Sequence, residues 1–151
     1  LEAYVTQRQA DHSFDHFLEA QSGCYSHVLA ELRAGRKRTH WMWFIFPQLR
    51  GLGHSAMADR FGLSGLEEAK AFLAHPVLGK RLVECSMTAL GHQGEPADSI
   101  FGTVDAIKLR SCMTLFDRAA PDESVFKRVL EAFFDAKPDA LTLAHLTETA
   151  P

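Results

Sequence analysis

Apolar residues in this chain recur at intervals of three and four, and glycine or proline interrupts each run before another period can set in. This pattern constrains the fold most, because one face of a 3.6-residue period is buried by a helix and not by a strand. From Ser13, the residues Phe14, Phe17, Leu18, Tyr25, Val28, Leu29 and Leu32 mark one helix, with Gly23 its weak point and Gly35 its stop. Ser64 and Glu67 have capping-box spacing and open a helix through Ala69, Phe72 and Leu73. His75-Pro76 ends it, since the residue before proline avoids helical angles. Pro76 suits the first turn of the next helix, whose inner residues are Val77, Leu78, Leu82, Cys85, Met87 and Leu90 before Gly91.

The segment GHQGEPADS, residues 91–99, reads as a loop. Ser99 or Thr103 then caps a helix reaching about Phe116, apolar around most of its circumference from Leu109 onward and so expected at the centre of a bundle. Asp122 begins another, with Val125, Phe126, Val129, Leu130, Phe133 and Phe134 inward, and KPD at 137–139 separates it from a short ALTLAHL. Strands do not alternate with helices, which excludes a parallel sheet. The expected fold is all-α, a compact multihelical single domain over residues 1–151, with 1–12 a flexible N-terminal extension.

A formal net charge of -3 argues against a surface built to neutralise nucleic-acid phosphates, so any anion site must be local. The three cysteines, Cys24, Cys85 and Cys112, are odd in number and widely spaced, which reads as reduced thiols in a cytoplasmic protein. The longest apolar run, WMWFIF, is far shorter than the roughly 18 residues of a membrane span. It is apolar on every face whether wound or extended, so it must be largely buried.

Residues 36–55, RKRTHWMWFIFPQLRGLGHS, concentrate the chemistry. GLGHSA at 51–56 fits G-x-G-x-x-A, but helix, proline and helix follow where a dinucleotide site needs a parallel strand. GHSAM is half of G-x-S-x-G, yet Met57 replaces the second glycine and no sheet can form a nucleophile elbow. Ser55 is therefore read as a helix cap. Arg36, Lys37 and Arg38 are either a solvated cluster offsetting the end of the first helix or, if Thr39 caps a helix, one side of an anion site. Trp43, Phe44 and Phe46 read as core, and Trp41 beside His40 as the better pocket-lining candidate, because indole offers both an apolar face and a donor.

Asp105 and Lys108 are neighbours on one helical face, with Ser111 a turn further on. They are either an ion pair or a ligand-binding cation with an orienting acid, and on so apolar a helix they need pairing or a solvent cleft. His12 and His16 have i, i+4 spacing, but no further motif completes a metal site, so neither metal nor cofactor is expected.

Three blocks, ELRAGRKRTHWMWFIFPQLRGLGHS, LEEAKAFLAHPVLGKRLVEC and IFGTVDAIKLRSCMTLF, resemble in that order the signature blocks of the bacterial family called domain of unknown function 1810. The likeness runs from about Phe14 to Leu146 and implies a small, mostly helical single domain, without supplying a reaction. Where the family pattern has two serines before Met-Thr, this chain has Ser111 and Cys112, which suits a small buried side chain rather than a nucleophile.

These readings converge on a pocket for a small anionic ligand of nucleotide or nucleotide-sugar type, where HWMWFIFPQ meets the DAIKLRS helix. Lys108 and Arg38 would neutralise charge, Trp41 would stack, Gln48 would fix orientation, and Ser55 and Ser111 would be among the contacts. His40 or Asp105 would be the general base if the protein is an enzyme. The rival expectation is an interaction or self-assembly module whose same segments are only core.

Overall fold

The computed structural model describes residues 13–149, so the expected extension over 1–12, and His12 with it, falls outside the described residues. Among them are ten helices and no strand: α1 Asp15–Ser22, α2 Tyr25–Ala34, α3 Met42–Ile45, α4 Ala56–Arg60, α5 Leu66–Ala74, α6 Leu78–Leu90, α7 Ala97–Phe101, α8 Thr103–Ala119, α9 Ser124–Phe134 and α10 Ala140–Thr149. The all-α expectation holds. Helix α8 is central, packing against α5, α7, α9 and α10, and its residues Ser111 to Phe116 are all buried.

Several boundaries differ from the sequence reading, each for a local reason. The first expected helix is two, because the chain turns at Gly23 and Cys24 before α2 begins. Gly35 does stop α2, in a left-handed conformation (φ 74°) from which its amide reaches Leu32 O. A side chain there would also strike the His92 ring, 2.9 Å from an ideal Cβ. The expected capping box at Ser64 is displaced: Gly65 precedes α5, and Glu68, not Glu67, accepts the Ser64 amide at 2.9 Å. Helix α8 runs past Phe116 to Ala119, and α9 starts at Ser124, capped by the Glu123 carboxylate rather than by Asp122.

Two devices fix the WMWFIF segment. Buried Gln21 of α1 donates to Phe44 O at 2.7 Å and accepts from the Arg81 guanidinium of α6 at 3.1 Å, tying three helices together through one amide. Downstream, Leu63 N donates to Gln48 O and Arg50 N to Leu63 O, both at 2.8 Å, a single parallel bridge that closes the 49–63 loop. Gly62 permits that approach, since a Cβ would lie 2.7 Å from Arg50 Cα. No helix among the described residues is long and apolar enough to cross a membrane.

Candidate ligand site

A cleft of about 290 Å³ opens where the 43–62 segment meets α8 and the start of α10. Four residues of α8, Val104, Ile107, Lys108 and Ser111, form one stripe along it, at the three- and four-residue steps of a helical face. Trp43, Gln48, Leu49 and Phe61 line it from the WMWFIF side, and Leu52, Gly53, His54, Ser55 and Ala58 from the loop and α4. Asp139, just before α10, and Leu141, in its first turn, line it from the other side.

Four of the expected ligand residues, Gln48, Ser55, Lys108 and Ser111, therefore share one hollow. Ser55 also caps α4 as expected, its hydroxyl accepting from Ala58 N at 3.1 Å. Ser111 is nearly buried and its hydroxyl donates to Ile107 O at 3.2 Å, so it shapes the wall more than it offers a donor.

Trp41 is a correction: it is core, only 2% exposed, and Trp43 takes the place at the cleft. The reason is Glu31, whose carboxylate accepts the Trp41 Nε1–H at 3.0 Å and so satisfies the one polar atom that buries badly in this side chain. The same carboxylate accepts the amides of Arg38 (2.6 Å) and Thr39 (3.0 Å) and the Thr39 hydroxyl (2.6 Å). Burial by itself would raise the Glu31 carboxyl; the Thr39 hydroxyl, the two amides and the indole outweigh it and hold the group down at about 2.

Of the two readings of Arg36 to Thr39, the anion site would need amides that the chain's own Glu31 carboxylate already takes. Helix α3 is a single turn that begins at Met42, with Trp41 and not Thr39 at its cap position. Arg38 is exposed and contributes its amide to Glu31, and neither it nor His40, also exposed, lines the cleft.

Asp105 is not among the described residues that line the cleft. Its carboxylate bridges two ammonium groups, Lys37 Nζ at 2.8 Å and Lys108 Nζ at 3.3 Å. Engaged by both ammonium groups, this carboxylate holds Lys108 in place against α8. Lys108 Nζ also sits 4.1 Å from the centre of the Trp43 ring, and Lys37 Nζ 5.0 Å from that of Trp41. The Lys37 side chain is 6% exposed and that of Lys108 21%: one ammonium is largely covered, the other opens to the cleft.

Sequence reasoning missed Trp43, because an aromatic run looks uniformly like core, and missed Asp139 and Leu141, which lie about thirty residues beyond Lys108. The Val104–Ile107–Lys108–Ser111 stripe was the available signal. Cys112 is fully buried, which pushes its thiol well up and leaves it without nucleophilic character.

Residues 11–146 match the family model described as protein of unknown function DUF1810. Among solved structures, the chain is similar to the crystal structure of the conserved hypothetical protein Rv1873 from Mycobacterium tuberculosis, at 49% identity and a TM-score of 0.86, covering 88% of this chain and 95% of that one. No curated protein matches. With nine-tenths of its length matched in one family and the helical fold shared with that neighbour, the chain belongs to the DUF1810 family of unknown function.

Proposed function

We propose that the protein binds a small anionic ligand in the cleft between the Trp43–Gln48 segment and α8. The observation that carries this reading is Lys108: its ammonium has one carboxylate contact, at 3.3 Å, and reaches a hollow of about 290 Å³ while resting on the Trp43 ring. An ammonium has three donors, so this one keeps capacity for a ligand oxygen. Gln48 lines the same cleft with a side-chain amide able to donate and accept.

Size and charge narrow the ligand. The cleft is at the lower end of small-molecule sites, which favours a molecule of mononucleotide size or less over a nucleotide sugar. Among the described residues Lys108 is the one Lys or Arg that lines it, and Asp139 is there as well, which favours a single negative charge over a di- or triphosphate.

A thermal-shift panel of mononucleotides, sugar phosphates and acyl carboxylates tests the reading, repeated with Lys108→Met. At least one monoanion is expected to raise the melting temperature of the wild type and not of the variant. Equal stabilisation of both proteins would move the site elsewhere.

The interaction-module reading keeps one supporting observation: Val104, Ile107 and Leu141 are exposed large hydrophobics. Sedimentation of the free protein tests it, a concentration-dependent dimer being its expected outcome.

A further inference from the structure

The mouth of the cleft is apolar in an unusual way. Five large hydrophobic side chains are exposed among the described residues, and three of them, Val104 (66%), Ile107 (60%) and Leu141 (68%), line this one hollow. They belong to two helices separated in sequence, α8 and α10, so no single amphipathic stripe accounts for their gathering. Leu52 adds a fourth aliphatic side chain from the facing loop. Scattered exposed apolar residues are ordinary, whereas a cluster around a concave site with a cation in its wall has the form of a binding surface.

Taken with Lys108, this gives the ligand two ends, an inference that rests on the anion-binding reading above. We propose that the ligand is an amphiphilic monoanion: a carboxylate carrying a short hydrocarbon substituent. Its carboxylate meets the free donors of Lys108, within reach of Gln48. Its hydrocarbon lies across Val104, Ile107 and Leu141, whose water it displaces. The single cation and the nearby Asp139 disfavour a doubly charged phosphate, and the aliphatic rim gives a highly hydroxylated sugar nothing to hydrogen-bond.

The experiment is a homologous series, acetate to octanoate, titrated by calorimetry and by quenching of tryptophan emission, since Trp43 lines the cleft and Trp41 is buried. Affinity is expected to rise about fourfold per methylene, the transfer free energy of a buried CH₂ written as an equilibrium ratio, until the rim is covered. Ile107→Asn with Leu141→Asn should flatten that slope to under about twofold. Lys108→Met should weaken hexanoate binding by about tenfold or more, the worth of a charge-assisted hydrogen bond, and hexylamine should not bind. The rim residues are more than half exposed, so their variants are expected to melt with the wild type.

Failures separate cleanly. Lys108-dependent binding of a mononucleotide or sugar phosphate with no carboxylate slope overturns the amphiphile and leaves the anion site standing. No anion binding through Lys108 at all overturns both. A wild-type dimer that the rim variants dissociate shows that a second copy covers the rim, and it too overturns the amphiphile.

Discussion

Two cation–aromatic pairs share Asp105 and differ in what completes them. Lys37 rests on Trp41, Lys108 on Trp43, and both ammonium groups contact the one carboxylate. Around the first pair the contacts are internal: Lys37 has a second acceptor in Thr39 O at 2.5 Å, and Trp41 donates to Glu31. Around the second, the ammonium keeps donor capacity and the ring lines a hollow. Near-identical chemistry two residues apart therefore makes a structural lock in one place and an open site in the other. Closure is decided by whether a third side chain, here Glu31, arrives with the missing acceptor.

The harshest way to break this pairing is Asp105→Ala, which strands Lys37 in a nearly buried position. Because Thr39 O still accepts from it, the expected loss is about 3 kcal/mol, at the lower end for a severed buried ion pair, measured by urea unfolding. Trp41→Phe removes the indole donor and leaves part of the Glu31 carboxylate unmatched; a loss of about 2 kcal/mol is expected. Trp43→Phe should cost under about 1 kcal/mol and lower ligand affinity instead. A reversal of the two tryptophans, with Trp43 the costlier, would undo the contrast drawn between lock and site.

Acid sharpens the lock further. The Glu31 carboxyl titrates at about 2 when folded, against an ordinary value of 4.5. Its contribution to stability is complete above pH 4.5 and is lost as the pH falls toward 2, because the unfolded chain takes up the proton first. Glu31→Gln should therefore show a shallower stability decline than wild type across that interval in acid titrations followed by circular dichroism. Smallest of all, Lys108→Met should change stability by under about 1 kcal/mol, since Asp105 retains Lys37 as its partner.

Trp41 and Trp43 also show how far the sequence carries. Both stand in an apolar run beside a basic cluster, and the one local cue, His40 next to Trp41, pointed to Trp41 where the cleft takes Trp43. The ranking comes from Glu31, ten residues away on α2, and from α8, more than sixty residues away. Arg38 illustrates the same limit from the other side: a cation in an anion-binding sequence context is left outside because the context had already found its anion. Lys108, Ser111, Gln48 and Ser55 were legible, since the first two share a helical face and the others flank a turn whose glycines could be read.

The sequence by itself determined the longer helices, most of their stops and the central place of α8, because period, capping and backbone restriction act within a few residues along the chain. Tertiary structure alone decided which tryptophan is sealed, which lysine is open and where the apolar rim gathers. Those outcomes depend on acceptors and surfaces delivered from distant helices, and burial of a polar atom is tolerable only where such a partner arrives.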